Sequence, residues 1–267
     1  PSRNKSFAST RCMITHKYFA PHDKEQSVTL DYVELAGIHS RVAALLQRDE
    51  SPTFQLLASA DGNSVHILVI NWNDNVPAVQ MLEWTMEDMA CVTALAFGQS
   101  YPSKDFYRES LFVANSSGDI YGLEIKLKLS DGFAELNAFQ LILTLTSCHP
   151  QSITALYFSQ EDDYLFSAGK EQSIRHWRAC LIGSTLSLQR LAVLESAHTT
   201  PIVRLSMNYK RTRLVVGDRE GDMSIWDVAT HALVETKTTG AKFMSGYQFV
   251  DQEYQIEVWP TNAKAPK

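Results

Sequence analysis

Apolar residues gather in short runs separated by turns rich in Gly, Asp, Asn and Ser, and no segment sustains a 3.6-residue apolar period beyond about two turns. The runs 153–159, 164–168 and 173–177 form one set of three predicted strands, and 202–207, 213–217 and 223–227 form a second. Several of these runs are continuously apolar rather than alternating, which predicts strands covered on both faces. The small residues Ala94, Ala114, Ala155 and Ala168 suit places where neighbouring sheets converge.

The two sets are copies. His149 precedes Trp177 by 28 positions, and His198 precedes Trp226 by 28. A third copy starts at His39, with strands over 42–46, 54–58 and 65–72 and Ile67 at the Trp position. A fourth has strands over 91–97, 111–114 and 119–123, a longer first turn at 98–110 and no starting His. Copies therefore begin near residues 39, 89, 149 and 198, a period of about 50. Between them, 79–84, 139–145, 188–194 and 232–235 each supply one more strand. Four strands per copy predict antiparallel propeller blades. Head strands at 11–19 and 27–35 and tail strands at 242–250 and 254–259 read as partial blades, 1–38 and 240–259, that close the ring within a single domain, 1–267.

Ser224-Ile225-Trp226-Asp227 resembles the Trp-Asp ending of WD40 repeats, and Ser173 to Trp177 is similar to the same strand with Arg178 in place of the Asp. The resemblance covers 39–228 and implies an all-β, WD40-type propeller with four full repeats. It also implies a blade-fixing network of a His, a Ser or Thr, a turn Asp and the Trp. His39, His149 and His198 would hold the first slot, and Trp177 and Trp226 the last. Six residues before the Trp position stand Asp61, Ser117, Glu171 and Glu220, so that only the copy at His39 keeps the turn Asp.

A net charge of −6 and a pI near 5.8 disfavour a general grip on nucleic-acid phosphates. Four scattered cysteines, with no C-x-x-C pair, suggest free thiols in a reducing compartment. With no signal-peptide pattern and no apolar run long enough to span a bilayer, the chain reads as cytoplasmic, without membrane insertion.

No catalytic motif, metal-ligand spacing or cofactor loop stands out, so the expectation is a non-enzyme with no metal and no cofactor. Asp218 to Asp222 is superficially like a cation loop but is read as a hairpin turn, and the triplets at Asn4 and Asn115 are read as polar loop residues rather than glycan sites.

Recognition is expected on loops held by the rigid ring. By the family resemblance, the residue just before the turn acid points to the top face, which selects Ala60, Ser116, Lys170 and Arg219. Two adjacent cations would favour an acidic or phosphorylated protein segment. The copy at His198 also resembles the C-terminal propellers of BEACH-domain trafficking scaffolds. That resemblance implies an alternative role as an assembly module, completed by other domains or chains. A propeller enzyme is the third and least favoured reading.

Overall fold

The computed structural model describes residues 54–238 except 74–75, 103–105, 131–132, 183–184, 196–197 and 209, together with the backbone of short strands on either side. The head contributes β1 (Thr10–Cys12), β2 (Thr15–Tyr18), β3 (Gln26–Thr29) and β4 (Val33–Leu35), with β1 paired to β4 and β2 to β3. Blade 1 is β5 (Val42–Leu46), β6 (Phe54–Asp61), β7 (Ser64–Asn73) and β8 (Val76–Thr85). Blade 2 is β9 (Val92–Pro102), β10 (Phe106–Asn115), β11 (Ile120–Ser130) and β12 (Phe133–Leu145). Blade 3 is β13 (Ile153–Ser159), β14 (Tyr164–Gly169), β15 (Ser173–Ile182) and β16 (Thr185–Glu195). Blade 4 is β17 (Ile202–Met207), β18 (Arg213–Asp218), β19 (Asp222–Asp227) and β20 (Leu233–Thr238). The tail forms a hairpin of β21 (Met244–Phe249) and β22 (Ile256–Pro260). Among the described residues there is no helix, and hence none long and apolar enough to cross a membrane.

Every blade is an antiparallel meander, and the first strands of consecutive blades lie side by side in the order β5, β9, β13, β17. Strand alternation then assigns each residue to one of two neighbours. Leu111, Val113, Leu123 and Ile125 of blade 2 pack on Leu56, Ala58, Val65 and Ile67 of blade 1. The residues between them, Phe112, Ala114 and Ile120, pack on Leu165, Trp177 and Ala179 of blade 3. Phe166, Ala168 and Ile174 of blade 3 in turn meet Leu214, Val216 and Trp226 of blade 4. The four alanines expected where sheets converge lie in the clusters between blades 2 and 3 and between 3 and 4. Each fully buried Leu, Ile or Phe contributes about 1.5–3 kcal/mol, so the contacts between blades hold the arc together.

Two expectations change. The stretch 98–110, read as a loop, is mostly strand: β9 runs on to Pro102 and β10 begins at Phe106, with an irregular register near Glu109. Its extension is possible because blade 1 supplies partners for the outer strand. The Asn71 amide donates to the Ala134 carbonyl and accepts from the Ala134 N–H, both at 2.8 Å, and Gln80 accepts from Leu136 N–H at 2.8 Å. Second, the Trp position in blade 1 is Leu68, not Ile67. Leu68 lies opposite Leu57 as Trp177 lies opposite Leu165 and Trp226 opposite Leu214. The turn joining Ala60 to Val65 is one residue shorter than those joining Ala168 to Ile174 and Gly217 to Met223, and a one-residue slip turns a side chain to the other face. Ile67 accordingly points toward blade 2.

In the turn between β10 and β11, Gly118 has φ of 88°, and a Cβ there would overlap the His149 carbonyl oxygen. Its own carbonyl accepts from His149 N–H at 3.0 Å and ties blade 2 to blade 3. Gly118→Ala is expected to destabilise the protein by about 1–3 kcal/mol, from backbone strain alone, read as a lower midpoint in urea unfolding.

Candidate functional site

The upper edge of each blade carries the loop leading into its first strand and the turn between its second and third. In blade 3 this edge holds a chain of four side chains. Trp177 Nε1 donates to Ser167 Oγ at 2.9 Å, Ser167 Oγ lies 2.8 Å from His149 Nε2, and His149 Nδ1 lies 2.5 Å from Glu171 Oε1. The directions are consistent in only one way. The carboxylate can only accept, so a neutral imidazole carries its proton on Nδ1 and takes the hydroxyl proton at Nε2, while the hydroxyl oxygen accepts from the indole N–H. Burial pushes the His149 imidazole below its ordinary range despite Glu171. Burial would raise the Glu171 carboxyl, but hydrogen bonds from Ser173 and His149 outweigh it and hold it low.

Blade 4 repeats the chain with two substitutions of position. Trp226 Nε1 donates to Ser224 Oγ at 2.8 Å, Ser224 Oγ is 2.8 Å from His198 Nε2, and His198 Nδ1 is 3.1 Å from Asp218 Oδ2. The acid is thus Asp218, fully buried, rather than the exposed Glu220. In the register, Asp218 faces Ile202 as Gly169 faces Ile153. Where blade 4 has a short acid, blade 3 has glycine, and the Glu171 carboxylate fills the space that a side chain on Gly169 would take. The hydroxyl moves similarly: Ser224 pairs with Val216, and Ser167 pairs with Arg175, so serine is supplied from either member of one cross-strand pair.

Blade 2 uses the same slots with other chemistry. Asp88 stands four residues before Val92, as His149 does before Ile153 and His198 before Ile202. Its carboxylate accepts from Asn115 Nδ2 at 3.3 Å and from the Tyr121 hydroxyl at 3.2 Å. Burial, and then the Asp88 charge, push the Tyr121 phenol up to about 12, so it remains a donor. Asn115 Oδ1 accepts from the backbone of Ser117 and Asp119, just as Asp218 Oδ1 accepts from Glu220 and Asp222. Asn115, not Ser117, therefore occupies the turn-acid slot. Fully buried, it is no glycan acceptor.

The expected recognition positions divide. Ser116, Lys170 and Arg219 are exposed, each one residue past the turn slot, and their N–H groups donate to Cys91, Ser152 and Pro201 carbonyls at 2.8, 2.8 and 3.1 Å. Ala60 is a correction: it is buried in the cluster between blades 1 and 2, and the register equivalent in that blade is Gly62. Asp61 ends β6 and is exposed. His39 lies outside the described residues.

Asp218 is committed to the backbone of its own turn, and among the described residues no group of three His, Cys, Asp or Glu could hold a metal ion. Burial pushes the Cys148 thiol up to about 12, which makes it a poor nucleophile. Sequence reasoning missed Ser167, Ser224, Asp218 and Asn115. Their signal lies in pairing: Asn115 and Asp218 end their strands opposite Val92 and Ile202, and Ser167 and Ser224 lie within theirs opposite Arg175 and Val216.

Two outcomes are expected. Trp226→Ala should cost about 3–5 kcal/mol, and Ser224→Ala about 1–3 kcal/mol, since it strands a buried indole N–H and an imidazole nitrogen. Val216→Ser in the Ser224→Ala background should recover part of the loss in denaturant unfolding. As for pH, a His149 held below its unfolded value of 6.5 favours the neutral form in the folded state. Its contribution is fully present above that value and is lost as pH falls toward the folded one. Thermal midpoints measured across this range should fall with acidification, and less so in His149→Asn.

The family description "WD domain, G-beta repeat" matches residues 139–178, the stretch that holds His149, Ser167, Glu171 and Trp177. Over 100 residues the chain is 32% identical to "Eukaryotic translation initiation factor 3 subunit I" of Mycosarcoma maydis, a match spanning 37% of this chain and only 27% of that protein. Among solved structures, a chain of a humanised mutant of the Chaetomium thermophilum Polycomb Repressive Complex 2 superposes with a TM-score of 0.52 at 13% identity, covering 74% of this chain and 39% of that one. A chain of the Chaetomium thermophilum Polycomb Repressive Complex 2 gives 0.50 at 13% identity, over 74% and 40%. These structures share the fold. The described residues are thus all-β, arranged in four-stranded antiparallel blades like those of WD40 propellers, and residues 139–178 among them match a WD repeat.

Proposed function

We propose that the protein is a non-catalytic scaffold that binds a peptide or protein domain on the upper rim of its blades. The observation that carries this reading is the equivalence of Lys170 and Arg219. Both are exposed, both follow the turn slot of adjacent blades, and both are tied by the same backbone bond to the loop before the first strand. Glu171 and Asp218 are drawn inward to the histidines, which removes two carboxylates from beside these cations, while Glu220 stays exposed next to Arg219. Two cations on adjacent blades suit an acidic or phosphorylated segment, because charge-assisted hydrogen bonds to one anion add in strength.

The relatives support a place within an assembly: one is named as a subunit, and the structures that share the fold are of a complex. A cytoplasmic setting and the absence of catalysis belong to the same proposal. So does closure of one domain by head and tail strands. Leu68 and Ile70 of blade 1, and Val215, Met223 and Ile225 of blade 4, are buried although they belong to none of the three clusters between blades.

Affinity capture with the intact chain, set beside a Lys170→Glu/Arg219→Glu double variant, tests the reading. The double reversal is expected to weaken binding of an acidic or phosphorylated partner by about 1 kcal/mol or more, and added salt should weaken it in parallel. Equal capture by both proteins across a salt series would place recognition elsewhere. A chain that requires a second protein to stay folded would favour the assembly role instead.

A further inference from the structure

His176 lies in β15 and is 2% exposed, its ring stacked on Phe166 at 4.4 Å and met edge-on by Tyr164 at 4.5 Å. Its Nδ1 is 3.0 Å from Nε2 of His231, in the lower turn between β19 and β20 of the next blade. Its Nε2 is buried without a hydrogen-bond partner among the described residues.

This geometry selects a protonation state. With its proton on Nδ1, His176 donates to His231 and leaves only a bare lone pair at Nε2. The reverse tautomer would bury an N–H with no acceptor, which is costlier than a satisfied donor. A proton taken up by His231 at Nε2 forces that reverse tautomer, because His231 must then donate and His176 Nδ1 must accept. A second proton sets two N–H groups against each other. The neighbouring charges do not relieve this. Arg178 lies 5.9 Å over the Tyr164 ring, and Asp227 of the same turn is committed to Thr230, Ala229 and Arg213. Burial, then His231 and Arg178, hold the His176 imidazole down at about 4.

We propose that the His176–His231 pair is an acid-sensitive latch on the lower side of the ring, closed when both rings are neutral and releasing blade 4 from blade 3 when a proton enters the pair. Blade 4 is the part to move: its strands are short and its turn carries the more accessible ring.

Hydrogen exchange of the full chain, followed by mass spectrometry at about pH 7.5 and about pH 5.5, tests this across the range in which imidazoles titrate. After correction for the intrinsic rate, amides of β19 and β20 should lose protection about fivefold or more in acid while those of β10 and β11 do not. In His231→Asn, which tolerates the left-handed backbone at φ 60° and does not titrate, blade 4 should keep similar protection at both conditions. His176→Phe should behave likewise, and if it fails to fold, His231→Asn alone decides. Unchanged protection of blade 4 in the parent overturns the latch. So does an equal acid-induced loss in His231→Asn, which would show that the acid-sensitive group is not His231.

Discussion

A buried indole N–H must find an acceptor, and most of the upper edge of this fold follows from that requirement. In blades 3 and 4 the acceptor is a serine hydroxyl, which then has one proton left to give. The histidine receives it and is left with one donor, which the turn carboxylate accepts. Each member fixes the direction of the next, so the chain of bonds joins the loop before the first strand to the second and third strands. An exposed hydroxyl or carboxylate could be satisfied by water. Here the members lie between sheets, where an unmet partner costs more than the bond itself contributes.

Two-sided burial supplies the other half of the specification. Because each blade offers alternate residues to different neighbours, Phe112 and Val113 serve separate clusters. A register slip in one blade would therefore disturb both contacts at once, and the long apolar runs tolerate it less than a half-solvated sheet would. Blade 2 shows how such a sheet can grow: its outer strand extends because blade 1 presents amides that complete the backbone pairing of Ala134 and Leu136.

Much of this was legible in the sequence. The repeat at His149 and His198, the strands around Trp177 and Trp226, and the blade architecture follow from spacing and apolar patterning. The turn acid was not legible, because counting back from the Trp assumes turns of one length and one side-chain length. Glu171 reaches the slot from two residues further along, Asp218 sits in it directly, and the shorter turn of blade 1 moves the Trp position to Leu68. Asp88 and Asn115 escaped for another reason: their residue types differ from the pattern, and only the register shows that they stand in the histidine and acid slots.

The substitution at Asp88 carries a consequence for how the blades come apart. Its lock is built from a carboxylate, an amide and a phenol, without an imidazole. Blades 3 and 4 instead depend on the imidazoles of His149 and His198. The repeats are thus alike in shape but unlike in what dissolves them. Blade 2, with strands longer than those of blade 4, is fastened without an imidazole, whereas its neighbours toward the tail are each fastened through one.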